Sequence, residues 1–133
     1  MLRNSEYEIG LVLSGGGFRG AAHVGVIQAM HDAGLKANII SGVSAGALVG
    51  ACYAAGLSCE KMLDLFMKPR LFSLAHYSYK KPGLLDTDKF ITYIDEFIKQ
   101  NSYEDLEIPL YICATDMLKG KLVTFSNGTL NKA

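Results

Sequence analysis

Cysteine is scarce in this sequence, net charge is absent, and no apolar run is long enough to cross a membrane. The three cysteines are odd in number and none lies in a C-x-x-C pair, which indicates buried or free thiols in a reducing compartment. Thirteen basic residues balance thirteen acidic ones, so nothing suggests a nucleic-acid partner. The most apolar stretch, residues 45–57, is too short for a span. No apolar core of a secretory signal precedes residue 9, and we therefore predict a cytoplasmic protein.

The chain has the length and composition of one packed domain. Half of its 133 residues are apolar and a fifth are charged, so a hydrophobic core is expected. Short apolar runs predict strands at 9–13, 37–40, 110–114 and 121–125. Helical patterns predict helices at 21–33, 45–55 and 59–67, the last of these capped by Ser58. A further amphipathic helix is predicted from Asp86 or Thr87 to about residue 98. This order predicts an α/β fold with a mostly parallel sheet and helices on both faces.

A G-x-S-x-G pentapeptide, residues 42–46, lies between a predicted strand and a predicted helix. That context is what a nucleophile elbow requires, because the turn is sharp and tolerates only small neighbours such as Gly42, Ala45 and Gly46. The turn would expose Ser44 at the carboxyl end of a strand and near a helix N-terminus, where negative charge is favoured. The alternative is a plain strand-to-helix turn in which Ser44 caps the helix.

A glycine-rich loop, residues 14–20, joins the first strand to the first helix. Its consecutive glycines allow backbone amides to point into one concavity that binds an anion. Gly15, Gly17 and Gly20 also satisfy the G-x-G-x-x-G pattern of dinucleotide sites. A dinucleotide site requires an acidic residue at the end of the second strand to bind the ribose hydroxyls, and residues 33–59 contain no acidic residue. We therefore favour an oxyanion loop beside Ser44 over dinucleotide binding or a purely structural turn.

Several segments resemble the patatin-like phospholipase family, of the bacterial acyl-hydrolase type. Residues 11–26 resemble its first strand, glycine loop and following helix; residues 40–51 resemble its nucleophile elbow; and residues 83–86 and 112–116 resemble later family segments. The resemblance implies Ser44 as the nucleophile of a serine hydrolase, with Gly42 and Gly46 shaping the elbow. It implies an oxyanion hole built from the backbone of Gly15, Gly16, Gly17, Phe18 and Arg19. It implies no cofactor and no metal ion.

The family resemblance also implies a Ser–Asp dyad whose aspartate lies in a downstream D-G-G or D-G-A motif. None of the seven aspartates in this chain is followed by glycine. We therefore interpret residues 1–133 as the N-terminal part of a single patatin-like domain, a truncated chain whose catalytic aspartate lies beyond it. Such a fragment is expected to keep little activity, on the order of 10³-fold over water. It is also expected to associate with itself or with the missing C-terminal part.

Other polar residues invite alternative assignments. One of the three histidines, His23, His31 and His76, could serve as the base of a triad, but partly buried helix histidines are the simpler interpretation and we expect none to be required. Asp116 follows a strand and is either a substitute base or a loop anchor. Arg19 could bind an anionic head group or brace its loop.

The stretch 62–74 is amphipathic and basic, and three roles remain open for it: part of the core, a lid over an acyl pocket, or membrane contact.

The function predicted from the sequence as a whole is hydrolysis of a carboxylic ester in a lipid or phospholipid, with peripheral membrane contact, through an acyl-serine intermediate. A catalytically silent lipid- or protein-binding module is the alternative, and a dinucleotide-binding domain is the second.

Overall fold

The computed structural model describes residues 9–68 and 87–130, and the side chains of residues 87–89 are left out of that description. The predictions for Asp86, His76 and residues 69–74 and 83–86 therefore lie outside the described residues. The elements in chain order are β1 (Gly10–Leu13), a 3-10 turn (Gly17–Arg19), α1 (Gly20–Asp32), β2 (Ile39–Gly42), α2 (Ala45–Ala54), α3 (Cys59–Met67), α4 (Thr87–Asp95), a second 3-10 turn (Tyr103–Asp105), β3 (Leu110–Asp116) and β4 (Lys121–Phe125).

The four strands form one sheet in the order β1-β2-β3-β4. The first three strands are parallel, and β4 returns antiparallel to β3. The predicted α/β class with a mostly parallel sheet is confirmed. Three elements differ from expectation: the helix α4 ends at Asp95 rather than at about residue 98, β3 runs on to Asp116 rather than to residue 114, and β2 runs on to Gly42 and not only to residue 40. Ser41 and Gly42 are poor strand formers, but each pairs with a neighbouring strand on both sides, which holds them extended.

The described helices all pack on one face of the sheet. The strand order advances in one direction, and parallel crossovers are almost always right-handed, so the described connecting helices are expected on the same side. Helix α2 lies directly on that face, where Gly50 approaches the side chains of Ile40, Leu110 and Leu13. Helices α1 and α3 pack against α2 and against each other. Helix α2 is therefore central, because its glycine and alanine residues allow this close approach.

The opposite face of the sheet is open in the part of the chain that the structure describes. Val12 is 81% exposed, Leu122 is 72% exposed, and Ile39 and Tyr111 are also exposed. The alternation along the strands explains the contrast, since Leu13, Ile40 and Leu110 on the helix side are buried. Helices on this second face remain a prediction.

Helices α3 and α4 extend the core away from the sheet. Ser58 caps α3 as predicted, with its hydroxyl oxygen accepting a hydrogen bond from the Lys61 amide at 3.3 Å. The Tyr93 hydroxyl of α4 donates to the Leu65 carbonyl at 3.1 Å. In the described beginning of the stretch 62–74, Met62 and Leu65 are fully buried in the core, whereas Met67 is 78% exposed. No helix within the described ranges is long and apolar enough to cross a membrane.

Candidate active site

Ser44 occupies a strained turn between β2 and α2. Its backbone angles are φ 52° and ψ −123°, and among the described residues it is the one non-glycine residue with positive φ. Such a conformation costs on the order of 1–3 kcal/mol and persists only where the surroundings hold it. Here the Val43 amide donates to the Leu13 carbonyl at 3.2 Å, and the Leu48 amide donates to the Ser44 carbonyl at 3.1 Å. The strand pairing on one side and the first turn of α2 on the other thus hold an exposed serine in place.

Gly42 and Gly46 have no room for a side chain. A Cβ at Gly42 would lie 2.7 Å from the Ala47 nitrogen. A Cβ at Gly46 would fall onto the Leu13 carbonyl and come within 2.6 Å of the Ser14 oxygen. The Gly46 amide also donates to the Val43 carbonyl at 3.0 Å, which closes the turn. These contacts explain why small residues flank Ser44, and the assignment of Gly42 and Gly46 to a nucleophile elbow stays a prediction.

The glycine loop lies against the serine turn. A Cβ built on Gly15 would be 3.3 Å from the Ser44 Cβ and 3.6 Å from the Val43 carbonyl oxygen. This proximity follows from the pairing of β1 with β2. Leu13 lies opposite Gly42 at the last pair of the two strands, so both turns begin at the same edge of the sheet. No backbone carbonyl of the described residues accepts a hydrogen bond from the Gly15 or Gly16 amide. The structure thus brings together the two motifs that the sequence placed 22 residues apart or more.

Arg19 is tied to its own loop. Its amide donates to the Gly16 carbonyl at 3.1 Å, and its Cβ and Nε lie 3.4 and 4.0 Å from the Cβ position of Gly16. Of the two roles considered for this residue, the contacts support bracing of the loop. Its guanidinium is still exposed to solvent, so binding of an anionic head group stays a prediction.

The two described histidines have separate structural partners. His23 on α1 reaches back to the glycine loop, where its Nε2 lies 2.8 Å from the Ser14 carbonyl oxygen. Because a carbonyl only accepts, Nε2 carries the proton in this contact. His31 lies two turns further along α1, with its Nε2 3.2 Å from the Tyr53 hydroxyl and the two rings 5.4 Å apart. Neither histidine has a hydrogen bond to Ser44 in the structure.

Asp116 anchors the turn between β3 and β4. Its Oδ1 accepts hydrogen bonds from the Leu118 amide at 3.0 Å and the Lys119 amide at 3.1 Å, and its Oδ2 lies 3.6 Å from Lys119 Nζ. Strand β3 passes its last β2 partner, Ile112, four residues before Asp116, so the carboxylate lies about 13 Å further along the strand than Gly42. This geometry supports the loop-anchor interpretation rather than a substitute base.

The cysteines are free thiols, as predicted. Burial raises the pKa of the Cys52 thiol to about 12, which keeps it protonated and unreactive at neutral pH. Cys113 is partly buried and lies 3.7 Å from the Ser41 hydroxyl on the open face of the sheet. Over the ranges 9–68 and 87–130, no group of three or more histidine, cysteine and acidic residues could hold a metal ion.

The contact between His23 and Ser14 is the feature of this region that sequence patterns did not predict. The two residues are nine positions apart, and they meet only because α1 turns back over the loop that precedes it. No periodicity or motif in the chain signals this pairing, since it depends on how the 3-10 turn Gly17–Arg19 sets the direction of the helix.

Comparison with known proteins identifies several whose sequences are similar to this chain. An NTE family protein of Mycobacterium tuberculosis (strain ATCC 25618 / H37Rv) is 35% identical over 132 residues, which are 98% of this chain and 37% of that protein. Neuropathy target esterase sws of Drosophila melanogaster is 34% identical over 131 residues, which are 92% of this chain and 9% of that protein. The chain therefore spans well under half the length of these curated relatives.

A solved structure supports the same grouping at the level of the fold. The crystal structure of VipD from Legionella pneumophila superimposes on 92% of this chain and 39% of its own, with a TM-score of 0.66 at 16% sequence identity. A profile described as patatin-like phospholipase matches residues 11–132. Because that match covers nearly the whole chain, the protein belongs to the patatin-like phospholipase family.

Proposed function

We propose that this protein hydrolyses carboxylic esters of lipids, in the manner of a phospholipase or lysophospholipase, through an acyl intermediate on Ser44. The observation that carries the proposal is the strained, exposed Ser44 beside a glycine loop so close that a Cβ at Gly15 would lie 3.3 Å from the Ser44 Cβ. Family membership supports a lipid ester as the substrate class. The dinucleotide alternative loses support, because β2 ends in the serine turn and offers no carboxylate for ribose hydroxyls.

In the proposed reaction the Ser44 oxygen attacks the ester carbonyl carbon while its proton passes to a general base. The carbonyl oxygen becomes an oxyanion, which accepts hydrogen bonds from backbone amides of the glycine loop. The Arg19 amide already donates to the Gly16 carbonyl, so the amides of Gly15, Gly16 and Gly17 are the better donors within the loop. The leaving alcohol takes the proton from the base, and water then releases the fatty acid from the acyl-serine.

We propose that the general base is an aspartate beyond residue 133, as the family resemblance implies. Two observations support this assignment within the described residues. The carboxylate of Asp116 is engaged by its own turn, and the imidazole of His23 is engaged by the Ser14 carbonyl. A serine hydroxyl without a base is a weak nucleophile, so residues 1–133 alone are expected to have little turnover.

Labelling with a fluorophosphonate probe tests this proposal. In a protein that continues through the downstream aspartate, Ser44 is expected to react and Ser44→Ala to abolish labelling. Turnover of a lipid ester should fall by about 10³-fold or more in that variant. Ser126→Ala, a change at an exposed loop serine, is the matched control and should label like the parent. Equal labelling of the parent and Ser44→Ala would refute the assignment. Full turnover by residues 1–133 would place the base inside this chain.

A further inference from the structure

The turn between β3 and β4 exposes two large apolar side chains at its tip. Met117 is 86% exposed and Leu118 is 99% exposed, the highest values among the large apolar residues that the structure describes. The turn itself is well defined, because Asp116 accepts hydrogen bonds from the Leu118 and Lys119 amides and the Gly120 amide donates to the Asp116 carbonyl at 2.7 Å. A rigid turn therefore holds both side chains in water, which is unfavourable for apolar surface.

This turn projects from the same sheet edge that carries Ser44. Strands β1 and β2 end at Leu13 and Gly42, level with Ile112 of β3. Strand β3 continues for four more residues to Asp116 with β4 as its partner, so the two-stranded hairpin extends about 13 Å beyond the ends of β1 and β2. Since parallel strands end at one edge, the hairpin tip, the glycine loop and Ser44 all face the same side of the molecule.

Among the three described loops at this edge, basic residues outnumber acidic ones. The glycine loop, the serine turn and the β3–β4 turn together contain Arg19, Lys119 and Lys121, all exposed, against the single carboxylate of Asp116. The Asp116 carboxylate is partly screened by Lys119, whose side chain is 74% exposed at 3.6 Å. An exposed ion pair of this kind contributes little, so Lys119 can turn to another anion.

We propose that the β3–β4 hairpin, residues 116–121, docks the protein on an anionic phospholipid surface. Met117 and Leu118 enter the boundary between head groups and acyl chains, and Lys119 and Lys121 contact the lipid phosphates. Apolar residues at a projecting tip with flanking lysines match the chemistry of such an interface. The proposal rests on the proposed function in one respect, namely that Ser44 then faces the surface holding its substrate.

Vesicle flotation with this chain carrying Ser44→Ala tests the docking without turnover. The probes are vesicles of equal parts phosphatidylglycerol and phosphatidylcholine, and vesicles of phosphatidylcholine alone. The double change Met117→Ser and Leu118→Ser should weaken partitioning by about tenfold or more on both. The double change Lys119→Gln and Lys121→Gln should weaken it by about fivefold per lysine on the anionic vesicles only. Leu35→Ser with Lys36→Gln is the matched control, because this exposed apolar and basic pair precedes β2 at the opposite edge.

Fluorescence gives a second readout that does not need a loss of binding. The sequence has no tryptophan, so Leu118→Trp places a single one at the tip. Its emission should shift to the blue on anionic vesicles and be quenched by brominated acyl chains, whereas Leu35→Trp should not respond. Absence of quenching at the tip, or equal weakening by the control pair, overturns the proposal. One further outcome overturns the proposal. If sedimentation shows that the hairpin changes abolish a dimer, and vesicles bind none of the variants, then a second copy of the chain contacts the hairpin.

Measurements of ester hydrolysis distinguish a failure of the docking proposal from a failure of the proposed function. In the longer protein, the Met117→Ser and Leu118→Ser changes should leave turnover of a soluble short-chain ester as in the parent and reduce turnover on vesicles. Vesicle binding through the hairpin without any ester hydrolysis would refute the proposed function alone. Hydrolysis of lipid in vesicles that the hairpin changes do not alter would refute the docking alone.

Discussion

The two glycine-rich turns at the carboxyl edge of the sheet use glycine for different physical reasons. In the serine turn, backbone atoms occupy the places where Cβ atoms of Gly42 and Gly46 would lie. In the glycine loop, nothing lies within 4 Å of the Cβ position of Gly17, whose φ of 56° is what disfavours other residues. The serine turn is thus determined by packing, whereas Gly17 in the glycine loop is required by backbone conformation. Gly20, at the end of that loop, is again a packed glycine, because its Cβ would lie 2.7 Å from the Phe66 ring. A motif match treats both sets of glycines alike, and only the contacts tell them apart.

The largest expected effect on stability is that of Gly46→Ala. Its methyl group would meet the Leu13 and Ser14 carbonyls, which cannot move without disturbing β1. We expect a loss in the free energy of unfolding at or above the roughly 1–3 kcal/mol typical of overpacked sites. Chemical denaturation of both proteins measures it. A loss below about 0.5 kcal/mol, the range of neutral surface changes, would show that packing does not determine this turn.

Gly15→Ala should separate activity from stability. The added methyl would lie 3.3 Å from the Ser44 Cβ, a contact that the loop can relieve by a small shift. Since displacement of catalytic groups by about 1 Å can cost on the order of 10²-fold, we expect kcat/KM to fall by about that factor. The melting temperature should stay near that of the parent. Unchanged kcat/KM in a folded variant would remove the glycine loop from the proposed oxyanion site.

His23→Ala should lower activity by a smaller factor. The change removes the hydrogen bond from His23 to the Ser14 carbonyl, and such a bond contributes roughly 0.5–1.5 kcal/mol. Because the glycine loop would then be held less firmly in position, we expect kcat/KM to fall by about tenfold. His23→Gln keeps an amide donor and should restore most of the activity. If folded His23→Ala instead lost about 10³-fold or more, a histidine base would be the better mechanism.

The smallest effects compare two glycines that both have open space around them. Gly17 has positive φ, so Gly17→Ala should cost about 1–2 kcal/mol although no atom is in the way. Gly25 lies inside α1, and Gly25→Ala should stabilise the protein by about 0.4–1 kcal/mol. Thermal unfolding of the pair measures the difference. Equal effects at both positions would mean that backbone conformation does not determine the glycine loop.

Local sequence patterns were sufficient to predict several helices and strands. The strand 121–125, the Ser58 cap and the helices at 45–55 and 59–67 were predicted to within one residue, because apolar periodicity and capping chemistry act over a few neighbours. The serine turn was predicted from glycine spacing for the same reason. The ends of β2 and β3 differ from the prediction. Ser41 and Gly42 are extended through their pairing with β1 and β3, and the last two residues of β3 are extended through their pairing with β4.

Tertiary structure alone decided which groups meet. The contact of Gly15 with Ser44 depends on β1 lying beside β2, and the bond from His23 to the Ser14 carbonyl depends on the direction in which α1 leaves its loop. The strand order decides on which face of the sheet the described helices lie, and that order depends on long-range pairing. The extension of β3 beyond its neighbours places Met117 and Leu118 at a projecting tip. Long-range pairing of strands is a property of the whole chain, and these placements therefore required the fold.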